Sequence, residues 1–139
     1  MLNTILRKKA QVLSLILVLS VLLIVTSAFA TTRFIKARSG GVVCIDPGVR
    51  LVIRPRALEE DTVVSANMMQ EQDRICFHFG PDGTEFLKPA ELCVSWQAID
   101  DVDDLTLYGE DCEEIMPEVK PWGVKYYIEH FSLYYFRRR

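Results

Sequence analysis

The sequence predicts an all-β fold: an antiparallel β-sandwich of about eight or nine short strands, preceded by an N-terminal hydrophobic signal helix. Three observations carry this. Short apolar stretches alternate with polar residues at the two-residue period of a half-buried strand. Turn residues interrupt them about every eight to twelve positions, the spacing of a sandwich or barrel. Beyond the first 30 residues no segment carries the period of an amphipathic helix of useful length.

The N-terminus sets the compartment. Arg7, Lys8 and Lys9 form a positive n-region, and Val12 to Val25 is an apolar run broken only by Ser14 and Ser20. Ala28-Phe29-Ala30 then places small residues at the two cleavage-determining positions, so residues 1–30 read as an export signal cut after Ala30. The rival is an uncleaved membrane anchor, since Val12 to Ala30 spans 19 residues and about twenty apolar residues cross a bilayer. In both cases Arg7 to Lys9 stay cytoplasmic and the remainder is extracytoplasmic, secreted or held on the outer side of the membrane. No cysteine adjoins the apolar run, which argues against a lipid anchor.

Charge and cysteine narrow the class. The chain has 16 basic and 19 acidic residues; without Arg7, Lys8 and Lys9 the balance is 13 against 19, a net of −6. Such a domain offers no electrostatic footprint for nucleic acid. Cys44, Cys76, Cys93 and Cys112 all follow the signal, and an even count in a small exported domain predicts up to two disulfides, with three pairings open. The spacings contain no C-x-x-C, so zinc is the weaker reading and buried free thiols the plain alternative.

The elements follow in order. Thr31 to Ser39, carrying Arg33, Lys36 and Arg38, reads as a polar spacer (31–39), and Gly40-Gly41 opens a domain over 40–136. Val42 to Ile45 is a strand, Asp46-Pro47-Gly48 a turn, and Val49 to Arg54 a strand with Val49, Leu51 and Ile53 on one face. Pro55 ends it, because proline cannot donate to a ladder. Thr62 to Met69 and Arg74 to Phe79 are strands, the second burying Ile75, Phe77 and Phe79 and leaving His78 on the surface. Pro81-Asp82-Gly83 specifies a tight turn, and Pro89 precedes the strand Ala90 to Trp96. Ala98 to Asp104 holds four aspartates without the D-x-[DN]-x-[DN]-G spacing of a calcium loop, so it reads as a solvated acidic loop and no metal is assigned. Leu105 to Tyr108 is a strand, Gly109 to Asp111 a turn, Glu113 to Met116 a strand edge, and Pro117 to Gly123 a connection. Trp96 and Trp122 read as core or rim packing. Residues 137–139 are a basic tail.

Tyr126 to Phe136 reads as one closing strand, rich in aromatic and β-branched residues. Its alternation slips at His130-Phe131-Ser132: Ile128 inward puts His130 inward, while Phe131, Leu133 and Tyr135 suit the inward set beyond it, unless Tyr134 and Phe136 face inward instead. A bulge or bend there would account for the slip.

Three features in order carry a family resemblance: Gly40-Gly41 opening a strand, Leu51 to Leu58 ending in Pro-x-Ala-Leu, and Phe79-Gly80-Pro81-Asp82-Gly83-Thr84-Glu85-Phe86-Leu87-Lys88-Pro89. From Gly40 to Phe136 the sequence resembles the ZU-five domain family of zonula occludens proteins, netrin receptors and ankyrins, which also has bacterial exported members. The resemblance implies a β-sandwich acting as a non-enzymatic interaction or structural module, with an unnamed protein partner and no cofactor. Arg56 departs from the glycine more usual after the proline. Some members cleave themselves between Phe and Ser of His-Phe-Ser, and His130, Phe131 and Ser132 match that sequence one for one.

In that chemistry the Ser132 hydroxyl attacks the Phe131 carbonyl, with His130 as the nearby base, and strain in the peptide of about 1–3 kcal/mol assists. The structural alternative is a corner where imidazole and hydroxyl satisfy backbone groups. No G-x-S-x-G, H-E-x-x-H or phosphate loop accompanies it.

Overall fold

A computed structural model describes residues 2–24 and 30–139, with side chains of the N-terminal helix described only as far as residue 14. The helix α1 covers Leu2–Ile24. Among the described residues no helix is long and apolar enough to cross a membrane, so the anchor alternative finds no spanning helix there. Ala28 and Phe29 of the expected cleavage site lie outside the described residues.

Eleven strands follow among the described residues: β1 (Thr31–Ile35), β2 (Gly41–Asp46), β3 (Val49–Ile53), β4 (Thr62–Gln70), β5 (Arg74–Gly80), β6 (Glu85–Ser95), β7 (Leu107–Gly109), β8 (Glu114–Ile115), β9 (Glu118–Lys120), β10 (Gly123–His130) and β11 (Leu133–Arg137). They form two sheets of order β1-β4-β5-β11-β7-β8 and β2-β3-β6-β10-β9, and every strand pairing is antiparallel. The chain is therefore an all-β sandwich, as its alternation dictates. Val64, Ala66, Phe77, Phe79, Tyr134 and Phe136 from the first sheet meet Val43, Leu51, Leu92, Val124, Tyr126 and Ile128 from the second in one buried core. Each large aliphatic or phenylalanine side chain among these contributes about 1.5–3 kcal/mol through the apolar surface it removes from water. Phe77 meets Phe136 edge-on at 5.7 Å, and Tyr126 meets Phe136 at 5.4 Å, so the aromatic rings bridge the layers.

Several expectations are corrected. The spacer over 31–39 is instead part of the sandwich: β1 pairs with β4, Phe34 opposite Val63, and Lys36 bridges Gly40 in the turn leading to β2. Gly40, at φ 64, is thus an internal turn residue and not a domain boundary. A strand is also found within the expected connection Pro117 to Gly123, where β9 pairs with the start of β10. Pro89 lies inside β6, at the place where pairing with β10 is interrupted between Ala90 and Glu85, which a residue lacking an N–H tolerates. Arg56 adopts φ 62, the left-handed backbone that glycine enters more cheaply, and its N–H donates to the Ala37 carbonyl at 2.7 Å. The basic tail over 137–139 is not loose: Arg137 ends β11, and Arg138 donates to Asp101 Oδ2 and to the Glu71 carbonyl.

The disulfide expectation is corrected too, because Cys44, Cys76, Cys93 and Cys112 are all free thiols. Cys76 and Cys93 each sit between inward residues, so they face outward on opposite sheets. Cys44 and Cys93 share the outer face of the second sheet but stand in register on either side of Arg50. Two strand spacings of about 4.8 Å put their Cα atoms roughly 9–10 Å apart, beyond the roughly 7 Å limit of a disulfide. Cys112 lies in the β7–β8 turn of the first sheet.

Candidate functional site at the junction of the sheets

The phase slip at His130-Phe131-Ser132 is a change of sheet. β10 runs along β6 with Tyr126 opposite Leu92 and Ile128 opposite Ala90, shifts register between Ile128 and His130, and stops. β11 begins at Leu133 between β5 and β7 in the other layer. The expected single strand Tyr126 to Phe136 is therefore two strands, joined across the sandwich by Phe131 and Ser132. Tyr134 and Phe136 take the inward positions, and Leu133 and Tyr135 do not.

The β5–β6 turn holds this link. The Phe131 N–H donates to the Thr84 carbonyl at 2.8 Å, the Phe131 carbonyl accepts from Gly83 N–H at 3.3 Å, and the Ser132 carbonyl accepts from Phe79 N–H at 3.3 Å. Gly83 adopts φ 80, which the Pro-Asp-Gly turn requires of its last residue. The Phe131 ring is buried, edge-on to Phe86 at 4.8 Å and stacked on Phe79 at 5.8 Å.

His130 is half-buried with a contact at each ring nitrogen. Nε2 lies 3.3 Å from Glu113 Oε2, and Nδ1 lies 3.4 Å from Tyr134 Oη, whose hydroxyl donates to the His130 carbonyl at 2.7 Å. Burial of Tyr134, reinforced by the negative charges of Glu113, Asp111 and Glu129, pushes its ionisation well above the ordinary phenol range. Among the described residues no hydrogen bond joins Ser132 Oγ to His130, so the base and the nucleophile of the self-cleavage scheme are not paired in this conformation.

Asp111 and Glu113 were not singled out by sequence reasoning. Their place beside His130 arises from β11 pairing with β7, which sets Tyr134 opposite Gly109 and lets Glu110 N–H donate to the Leu133 carbonyl at 3.0 Å. Cys112 at φ 67 turns the backbone between the two acids. The ligating atoms of Asp111, Glu113 and His130 all lie within 4.8 Å of one another. Glu113 Oε2 is buried with no hydrogen-bond partner. Gly109 makes room for them, since a Cβ there would stand 2.9 Å from Asp111 Oδ1 and 3.4 Å from Glu113 Oε2. The only local signal was the acid content of residues 110–114.

Other singled-out residues have structural settings. His78 is exposed and 3.0 Å from Asp82 Oδ1. In the acidic loop, Asp104 accepts from Thr106 N–H and Tyr108 hydroxyl, while Asp101 holds Arg138. Trp96 and Trp122 are rim residues, with Trp96 Nε1 donating to the Pro121 carbonyl. On the outer face of the second sheet, buried Glu91 is held by Arg54 at 2.6 Å and Lys125 at 3.5 Å.

Comparison of the chain with protein-family models, curated proteins and solved structures finds no match.

Proposed function

We propose that the chain is a non-enzymatic interaction or structural module of the cell envelope, ZU-five-like in kind, that works on the extracytoplasmic side after export behind its N-terminal segment. The observation that carries this is the open edge of the second sheet. Edge strand β9 and its flanks expose Val119, Trp122 and Met116, with Trp96 and Tyr127 beside them. An unpaired edge offers backbone donors and acceptors to an incoming strand, and aromatic side chains supply contact area at small entropic cost. The occupant this edge suits is an extended protein segment.

A photo-crosslinking side chain at Val119, compared with one at exposed Glu59 in the exporting cell, tests the reading. Discrete adducts from position 119 alone are expected. Identical patterns at both positions, or none, refute it. Mass measurement of the mature N-terminus tests export, a start at Thr31 being the expected result.

One observation favours a second reading, a single self-cleavage between Phe131 and Ser132: the Phe131 carbonyl already accepts the Gly83 N–H, which would stabilise charge developing on that oxygen. Ser132 Oγ would add to the Phe131 carbonyl carbon as the Phe131–Ser132 C–N bond breaks, giving an ester and a free Ser132 amine. Water would then hydrolyse the ester to a Phe131 carboxylate. Intact mass under denaturing conditions would reveal loss of the eight residues Ser132 to Arg139, abolished in Ser132→Ala. A single uncut species after prolonged incubation sinks this reading and leaves the first untouched.

A further inference from the structure

We propose that Asp111, Glu113 and His130 form a binding site for a divalent first-row metal ion of the zinc class at the junction of the two sheets. The donor set is one imidazole nitrogen and two carboxylates converging within 4.8 Å. Imidazole with carboxylate suits zinc and its first-row neighbours, whereas calcium and magnesium take oxygen ligands alone.

The pairing of His130 with Glu113 points to a third atom between them. Nε2 and Oε2 stand 3.3 Å apart, yet Oε2 is buried and makes no hydrogen bond. Two ligands about 2.0–2.1 Å from one tetrahedral ion lie roughly 3.3 Å apart, each aimed at the ion and off the line joining them. The 3.3 Å separation without a hydrogen bond matches that spacing. The tautomer is also arranged. Tyr134 spends its own proton on the His130 carbonyl, so its oxygen is free to accept from Nδ1–H, leaving a lone pair on Nε2. Orientation of a ligating histidine through its other nitrogen is the usual outer support of a metal site. Asp111 is exposed and closes the outward side, and Gly109 keeps the floor clear of a Cβ. A metal here would tie the β7–β8 turn to the end of β10, joining the two sheets where the chain crosses between them.

Calorimetric titration of the purified full chain in mild detergent with Zn²⁺ alone, and separately with Ca²⁺, tests the site. Expected is one Zn²⁺ per chain, bound more tightly than Ca²⁺ and raising Tm. Glu113→Gln and His130→Asn should each weaken binding by about tenfold or more, since even changes in outer support cost about 10–100-fold at metal sites. Both keep a similar shape, and a circular dichroism spectrum matching the unaltered chain confirms that each variant folds. Cys112→Ser and Cys44→Ser should retain binding. The proposal is overturned if Zn²⁺ does not bind, if Ca²⁺ binds more tightly, if the Glu113 and His130 variants bind as well as the unaltered chain, or if Cys112→Ser abolishes binding and so marks a thiolate site.

Discussion

Replacing Phe131 with alanine removes the ring that fills the gap where the chain leaves one sheet for the other. A buried phenylalanine takes about 150–250 Å² out of water, which at about 25 cal/mol per Å² corresponds to roughly 4–6 kcal/mol. Phe→Ala truncations in cores cost about 3–5 kcal/mol, so a loss of about 4 kcal/mol is expected from a domain whose whole stability is on the order of 5–15 kcal/mol. Phe131→Leu keeps most of the bulk but loses the edge-on contact with Phe86 and the stack on Phe79. At about 0.5–1.5 kcal/mol per aromatic pair, that variant should lose roughly 1–3 kcal/mol. Urea unfolding followed by tryptophan fluorescence reads both, as a lower midpoint at unchanged slope. A loss below about 1 kcal/mol for Phe131→Ala, or equal losses for the two variants, would refute the assignment of Phe131 as the packed centre of the junction.

Three further outcomes are expected. Thiol titration of the unreduced, denatured chain should count four free thiols; in the folded chain the exposed Cys44 and Cys112 should react well before the buried Cys76 and Cys93, and a count of two or fewer contradicts the geometry. Burial raises the ionisation of Tyr126 and Tyr134 above the ordinary value of 10.0, so the stability they carry is full below pH 10 and is lost as pH rises towards their folded values; tyrosinate absorbance should show these two of the five tyrosines ionising only as the fold is lost, and independent titration of all five would contradict it. Gly123→Ala should destabilise by about 1–3 kcal/mol through overpacking, because its Cβ would stand 2.0 Å from the Val94 carbonyl oxygen across the β10–β6 ladder; an unchanged Tm would argue against that close approach.

Where alternation is strict and turns are marked, the sequence spoke plainly: Val49 to Ile53 and Arg74 to Phe79 occupy the strands and faces their pattern implies. The edge strand β1 was hidden because Arg33 and Lys36 make its surroundings polar, as edges generally are. β9 was hidden by its three-residue length between Pro117 and Pro121. At His130-Phe131-Ser132 the change of phase was legible but its meaning was not, since inward-facing positions on either sheet point to the same core and a pattern along one chain does not say which sheet it is on. Asp111 and Glu113 could not be linked to His130 by any local spacing, for their nearness is made by the pairing of β11 with β7.

The position of β11 also bears on the order of assembly. β11, the last strand among the described residues, lies in the interior of the six-stranded sheet, between β5 and β7, so β7 and β8 have no attachment to β1, β4 and β5 until residues 133–137 arrive. A chain emerging N-terminus first can form the β4–β5 hairpin early but cannot complete that layer until residues 133–137 are free. Loss of residues 133–137 would then divide a finished sheet into two unsupported parts.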